Sequence, residues 1–398
     1  MEKFEFYNPV RVVFGLGEVA RVGAETAALG TTALVVSYKD HAFFTDVLGR
    51  VEKSLAAAGV KPVAFYEVTA NPTIDQVEAG ITAAKAAGVD VVVGIGGGSA
   101  MDAAKVIAAG VPFKHPAWKM IVARHDKAEA IAPSEALPIV LVPTLPATSS
   151  EMNCGAVITN ETTHEKSYLF NPVIYAKVSI LDPELTLTVP AYQTACGAVD
   201  AVSHVMELYL NGVEDTPLQD RLMEGIVLTI AECAAKLQKN PKDLAARTNL
   251  MWAATVAWNG WTQPGCASTT PMHLVAHPIS AHFHVTHGAT LAIVMHAWMR
   301  RFYKSRLPRY AQFGERVFAM DAKGKDPEKL ALEVIDRFEA WMKGLGVQTR
   351  LGEVGIGKDK LDMLTDDIAR VSFGPDGKLG ARVPATKEDV RAVLSFAL

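Results

Sequence analysis

Six of the 11 histidines, His273, His277, His282, His284, His287 and His296, fall within 24 residues, and Asp200 and His204 stand at i, i+4 in AYQTACGAVDAVSHVMELYL. In a helix that spacing puts two side chains on one face, one turn apart. His273 and His277 repeat the spacing in MHLVAHPISAHFHVTHG. Pro278 is expected to disturb that helix, so that His287, just before Gly288, approaches from a turn. A single Asp-x3-His pair is ordinarily a surface pair or a satisfied buried polar group. Two such pairs with a third histidine on a turn point instead to a divalent cation. Spacing alone does not say which of the five histidines from 273 to 287 bind it. A shell of three histidines and one carboxylate suits Zn²⁺ or Fe²⁺, leaves room for a substrate oxygen, and keeps enough positive charge to polarise a carbonyl or stabilise an alkoxide.

A second candidate site is the glycine turn. Directly after the apolar run DVVVGI come Gly96, Gly97, Gly98 and Ser99, followed by AMDAAKVIAAG. A strand that hands over to a helix through glycines lets the backbone approach a diphosphate closely, and Ser99 and the helix N-terminus offer donors to it. The spacing is not GxGxxG, the fingerprint of the standard dinucleotide fold. Ser37, Tyr38, Lys39, Asp40 and His41 follow an earlier apolar strand, where the adenosine ribose of a dinucleotide is expected. There an acid selects a free 2′-hydroxyl and Lys39 favours a 2′-phosphate.

These residues need a scaffold, and the pattern along the chain supplies one. Up to about residue 185, short β-branched runs alternate with Ala-rich stretches: TTALVVSY, DVLGRVEKSLAAAG, KPVAFYEV, TIDQVEAGITAAKAAG, DVVVGIGGG, SAMDAAKVIAAG and PIVLV. That alternation predicts a parallel sheet with helices on its faces. From Ala191 the text is helical, with helices expected over 191–210, 217–238, 243–259, 327–345 and 359–371. The connection around 112–136 and the segment 260–272 read as irregular. Two domains follow: an α/β dinucleotide-binding domain over 1–188 and an all-helical, metal-binding catalytic domain over 189–398. The length of 398 residues agrees with two domains.

Composition narrows the class. Lys and Arg total 39 against 43 Asp and Glu, a net charge of −4, which disfavours nucleic acid and anionic membranes as partners. Cys154, Cys196, Cys233 and Cys266 are scattered without CxxC spacing and read as reduced, packed thiols. No apolar run reaches the length of a membrane span. A cytoplasmic enzyme is the expectation.

The motifs together, in order, resemble the iron-containing, or type III, alcohol dehydrogenases over nearly the whole chain: NPVRVVFGLG, GGGSAMDAAK, PTLPATSSEMN at 143–153, LDPELT at 181–186, GAVDAVSHVMELY and HLVAHPISAHFHVTHGATLAIV. LPATSSEMNCGAVIT, RLMEGIVLTI and NLMWAATVAWNG are most similar to the branch of butanol dehydrogenases and NADPH-dependent aldehyde reductases. The resemblance implies a Rossmann-like α/β domain followed by an all-α domain, an architecture shared with dehydroquinate synthase. It implies metal ligation by Asp200, His204, His273 and His287, with Fe²⁺ or Zn²⁺ as the ion, and makes His277 the candidate proton relay between metal and nicotinamide.

Carried over in the same way, Gly97, Gly98 and Ser99 form the diphosphate cradle, with Asp102 counted among the cofactor-binding residues. Thr144 and Thr148 fall on the nicotinamide-side loop, and Lys166 is the lysine that reaches the cofactor ribose. Asn153 falls at the substrate mouth. Trp258, with Trp261, either narrows the substrate pocket or packs in the core. SYKDHAFF replaces the glycine-rich loop of NADPH-using relatives. Tyr38 stands where NAD-specific relatives carry an acid, so NADP(H) is favoured over NAD(H), with Tyr38 and Lys39 on that side of the cofactor. Met295-His296 replaces the usual Leu-Pro, and His296 reads as structural.

The implied activity is hydride transfer between a nicotinamide and a primary alcohol or aldehyde, with metal and nicotinamide facing each other across an interdomain cleft. A homodimer is the implied assembly, and the apolar strand YNPVRVVFG could pair across a two-fold. A dehydroquinate synthase-like lyase would need a cluster of Lys and Arg for phosphate and a glutamate ligand, neither evident in the sequence. A polyol dehydrogenase of the same fold and a non-catalytic nucleotide-binding protein are the other readings.

Overall fold

The computed structural model describes residues 1–40, 42, 45–122, 126 and 128–398; His41, expected near the ribose, lies outside them. The chain forms two compact units. One holds Tyr7–Pro190 and Lys242–Met251, the other Met1–Phe6, Ala191–Pro241 and Trp252–Leu398. The division at 188 and 189 read from the sequence omits the two short exchanged segments.

The first unit is built from strands β1 (Arg11–Phe14), β2 (Thr32–Tyr38), β3 (Lys61–Val68), β4 (Val91–Gly96), β5 (Ile139–Pro143), β6 (Gly155–Asn160), β7 (Glu165–Phe170) and β8 (Val178–Leu181). Its helices are α1 (Val22–Ala27), α2 (Thr45–Ala57), α3 (Ile74–Ala87) and α4 (Gly98–Gly110). Six strands form one all-parallel sheet in the order β1-β8-β5-β4-β2-β3. β4 and β5 are buried at every position because apolar layers cover both faces. Val35, Val93 and Val140 pack with Val51 and Leu55 of α2 on one face, while Leu34, Val92 and Leu141 pack with Val77 of α3 and Ile107 of α4 on the other.

The chain runs from β2 outward to β3 and then returns to place β4 on the opposite side of β2. In a doubly wound sheet the carboxyl ends of two such strands flank the crevice where ligands bind. Those ends are Tyr38 and Gly96, so the topology alone singles out the glycine turn. β1 pairs in parallel with β8 at one edge of the sheet. The antiparallel hairpin β6-β7 was not foreseen in the sequence.

The second unit takes its helices from α5 (Ala191–Asn211), α6 (Pro217–Lys239), α7 (Leu244–Ala257, whose first residues belong to the other unit), α8 (Pro271–Phe283), α9 (His287–Phe302), α10 (Leu307–Phe318), α11 (Pro327–Gly344), α12 (Leu361–Ser372) and α13 (Lys387–Phe396). The stretch Thr194–Asn211 of α5 is buried all round, as a central helix must be. No helix of the described residues is long and apolar enough to cross a membrane.

α8 corrects one expectation. Pro278 does not break the helix, which continues to Phe283 and ends only at His284, whose φ is +52°. A proline withholds the N–H that would bond the carbonyl four residues back, here Leu274. Ser372 Oγ of α12 reaches that carbonyl at 3.5 Å. His287 then opens α9 as its first residue.

Candidate metal centre and nucleotide cradle

α5 presents Asp200 and His204 on one face, and the start of α8 brings His273 to the same point. Ligand atoms from these three residues all lie within 4.8 Å of one another, and all three residues are buried. Asp200 Oδ1 is 3.9 Å from His204 Nε2, 3.9 Å from His273 Nε2 and 3.8 Å from His287 Nε2. These separations exceed a hydrogen bond. Atoms that each lie about 2.0–2.2 Å from a common ion are up to roughly 4 Å apart.

Asp200 Oδ1 and His273 Nε2 are buried without a hydrogen-bond partner among the described residues. Each such atom ordinarily costs about 1–3 kcal/mol, so two of them facing one point call for a ligand. Oxygen and imidazole donors without thiolate suit the borderline divalent ions Fe²⁺ and Zn²⁺. The residues present therefore fit a divalent cation.

Electrostatics agree. Burial pushes His204 down to about 4, with Asp200 opposing and His273 adding to that shift, so its imidazole is neutral and able to ligate. Burial works against the charged form of His273 too, but the carboxylates of Asp200 and Glu207 outweigh it and hold this group up at about 9. A field that favours a proton there equally favours a metal cation.

His277 lies beside the cluster, its ring centroid 6.3 Å from that of His273 and 5.6 Å from that of His287. Trp258 packs against the His204 ring at 5.4 Å. His282 and His284 do not join the cluster: His282 pairs with Asp367, and His284 terminates α8. His296 is wholly buried, with Nε2 2.8 Å from the Thr349 carbonyl and Nδ1 3.7 Å from Glu339.

Sequence reasoning missed Glu207. It lies seven residues after Asp200 on the same helical face, is fully buried, and accepts from both the backbone N–H and the ring Nδ1 of His273. The i, i+4, i+7 recurrence of Asp200, His204 and Glu207 was the available signal.

In the other unit, Gly96 has φ +145°, and a Cβ there would meet Ala100 at 2.7 Å and the Tyr38 ring at 2.8 Å. Only glycine fits. A Cβ on Gly98 would lie 2.6 Å from Thr148 Cγ2. Tyr38 and Thr148 therefore wall the turn. The Tyr38 hydroxyl accepts the Gly97 N–H at 3.2 Å. Burial raises this phenol to about 12, against hydrogen bonds from Gly97, Ala100 and Ser99 that lower it, so it stays protonated. Ser99 Oγ accepts the Asn71 N–H at 3.3 Å, and Asn71 Oδ1 accepts from Lys166 Nζ at 2.8 Å, which seats Lys166 beside the cradle. Thr144 is buried, its N–H on the Gly96 carbonyl and its hydroxyl without a hydrogen-bond partner among the described residues.

Three of the residues expected at the cofactor or substrate have bonds of their own within the protein. The Asp102 oxygens accept from Ser150 Oγ at 2.6 Å and from the Val157 N–H at 2.9 Å, so this carboxylate braces α4 against the loop and the hairpin. The Asn153 amide donates its N–H to the Thr148 carbonyl, and its oxygen accepts from the Gly155 N–H and from Lys105 Nζ. Asn153 thus shapes the loop walling the cradle, together with Lys105, a wholly buried lysine that also donates to the Asn153 and Gly155 carbonyls. Lys39 is exposed at the end of β2, 3.5 Å from Glu67.

Comparison with known proteins follows the same division. Residues 9–183 match the model described as iron-containing alcohol dehydrogenase, and residues 194–398 match that of the family's C-terminal region. The chain is 35% identical to the probable NADH-dependent butanol dehydrogenase 1 of Bacillus subtilis over 407 residues, covering 100% of both chains. It is 31% identical to the NADPH-dependent aldehyde reductase YqhD of Escherichia coli, covering 89% of this chain and 90% of that one. The crystal structure of NADH-dependent butanol dehydrogenase A from Thermotoga maritima superposes with a TM-score of 0.93 at 35% identity, covering 100% of this chain and 99% of that one.

Proposed function

The chain belongs to the iron-containing alcohol dehydrogenase family and is an NAD(P)-linked alcohol dehydrogenase or aldehyde reductase; from that premise we propose that Asp200, His204, His273 and His287 hold a divalent cation, Fe²⁺ or Zn²⁺, for interconversion of a primary alcohol and its aldehyde. When bound, the cation supplies Lewis acidity toward a carbonyl or alcohol oxygen, and the nicotinamide exchanges hydride with the carbon. The observation that carries this reading is the Asp200 oxygen lying 3.8–3.9 Å from three imidazole Nε2 atoms.

Asp200 cancels one of the cation's two charges, which leaves the centre positive toward oxygen. His277, beside the cluster and outside the ligand set, holds or passes the proton that an alkoxide takes up. In the cradle, the N–H groups at the start of α4 and the Tyr38 hydroxyl, which keeps its own proton, bind the diphosphate. Gly96 and Gly98 keep that surface clear of side chains. Lys166 and Thr144 supply polar groups beside it, and Trp258 narrows the space next to His204.

For the coenzyme, the charge at the end of β2 favours NADH. The expectation of NADP(H) rested on Tyr38 and Lys39. The Tyr38 hydroxyl is directed to Gly97, and Lys39 lies 3.5 Å from the Glu67 carboxylate and precedes Asp40 in the chain, a charge balance that opposes a 2′-phosphate dianion. The relatives named above as NADH-dependent butanol dehydrogenases agree.

The test is oxidation of NADH and NADPH, followed at the reduced-nicotinamide absorbance band, with short and long aliphatic aldehydes, before and after chelation and after return of Fe²⁺ or Zn²⁺. Loss on chelation and recovery with metal are expected, with kcat/KM higher for NADH. Undiminished activity in fully chelated enzyme would overturn the metal assignment, and a higher kcat/KM for NADPH the coenzyme assignment.

A further inference from the structure

Glu207 is a buried carboxylate with neither lysine nor arginine paired to it among the described residues; its salt-bridge partner is His273. A charge so placed is costly unless its hydrogen bonds are complete and its field is used. Oε1 accepts twice from one residue: the backbone N–H of His273 at 2.8 Å and its ring Nδ1 at 3.1 Å. Oε2 accepts from Asn211 Nδ2 at 3.2 Å, one turn further along α5. The backbone bond ties His273, the third residue of α8, to α5, and the ring bond sets the rotation of the imidazole. A carboxylate accepting at Nδ1 requires the proton on Nδ1, which leaves the lone pair on Nε2, 3.9 Å from Asp200 Oδ1.

We propose that Glu207 is a positioning residue for the metal centre: it fixes the orientation and tautomer of His273, and so sets the affinity for the cation. The arrangement follows the general rule that a ligating histidine donates its second ring N–H to a carboxylate. The α5 helix then carries one ligand, Asp200, a second, His204, and the support of a third on a single face. Because Thr270, which precedes α8, makes no side-chain capping bond, Glu207 also caps that helix from α5. A cap alone would account for stability and would leave metal affinity untouched. The proposal rests on the reading that Asp200, His204, His273 and His287 hold the cation.

The experiment compares full-length wild type with E207Q and E207A, stripped of metal and titrated with Zn²⁺ against a chromophoric chelator, and with Co²⁺ followed by its d–d spectrum. Affinity for both ions is expected to fall about 10–100-fold in E207Q, with an altered Co²⁺ spectrum and unchanged far-ultraviolet circular dichroism. A folded E207Q that binds both ions as wild type does, with the same spectrum, reduces Glu207 to a helix cap and overturns the proposal. Wild type that binds neither ion would instead overturn the metal reading beneath it.

Should neither variant fold, nitrogen-15 NMR of the ring nitrogens in histidine-labelled, Zn²⁺-loaded wild type decides. His273 is expected to carry its proton on Nδ1, hydrogen-bonded, with Nε2 on the ion. Ligation through Nδ1, or a Nδ1–H that exchanges as freely as an exposed one, sinks the assignment.

Discussion

Asp200 Oδ1 and His273 Nε2 face each other at 3.9 Å, both buried and neither hydrogen-bonded to any described residue. A proton between them would draw the pair toward hydrogen-bonding distance, whereas an ion needs the gap. Replacing Asp200 by Asn keeps the shape but removes the negative charge and weakens the ligand. D200N is expected to lose most of its bound metal, measured by elemental analysis. Since the cation supplies several kcal/mol of transition-state stabilisation, kcat/KM for aldehyde reduction should fall by at least about a thousandfold. Full metal content in D200N with unimpaired turnover would remove Asp200 from the ligand set.

His277 gives the complementary result. Its ring stands 5.6 Å from that of His287, close enough to serve the same substrate oxygen and placed apart from the atoms that converge on Asp200. H277A is therefore expected to retain its metal while kcat falls by about 100-fold, the usual range for a positioned proton donor. Elemental analysis and steady-state kinetics on one preparation check both halves. Loss of metal in H277A would show that its role has been exchanged with that of a ligand.

The cradle can be closed by one methyl group. In Gly98→Ala the new Cβ would lie 2.6 Å from Thr148 Cγ2 and 2.8 Å from its Oγ1, so one wall must move. Such overpacking costs about 1–3 kcal/mol. Where the strain falls on the bound state, the coenzyme dissociation constant rises about 10- to 100-fold. NADH fluorescence titration measures it, with metal content expected to stay unchanged. Wild-type NADH affinity in G98A would show that the turn does not hold the diphosphate.

What the sequence made legible follows from how local each signal is. β2, β4 and β5 could be read because strands covered on both faces are apolar at nearly every position. The hairpin was hidden because β7, EKSYLF, carries charges: Glu165 and Lys166 are buried there, Lys166 with a bond to the distant Asn71. The path through Pro278 depended on Ser372, 98 residues away along the chain from Leu274, which no local pattern reports. The proposed ligand set was visible as spacing, but the choice among five histidines was not, because it depends on where α8 ends and α9 begins. Glu207 was legible as a third residue on the Asp200 face, yet its role depends on a bond to another helix. The roles of Asp102 and Asn153 turned on the same kind of distant partner, Ser150 and Val157 for one, Lys105 for the other.

Glu339 supplies a pH dependence that is independent of the metal centre. Its carboxylate is met by Lys343 at 2.7 Å, Arg350 at 2.6 Å and Arg300 at 3.0 Å, with His296 Nδ1 at 3.7 Å. Burial alone would raise this carboxyl, but the hydrogen bonds from Lys343 and Arg300 and the charges around it hold it down at about 2, against an ordinary value of 4.5. A carboxyl depressed on folding contributes stability that is complete above its unfolded value and is lost as pH falls through the folded one. The window is therefore pH 4.5 down to about 2. A shift of that size corresponds to about 3.4 kcal/mol, which solvent screening of the partly exposed lysine and arginine partners reduces to roughly 2–3 kcal/mol. E339Q should be less stable than wild type by about that amount at pH 7, with the difference shrinking as the pH is lowered from 4.5 toward 2. Urea unfolding of both proteins at several pH values measures it. A difference independent of pH across that window would mean that Glu339 stabilises by packing and neutral hydrogen bonds, and that its charge contributes nothing.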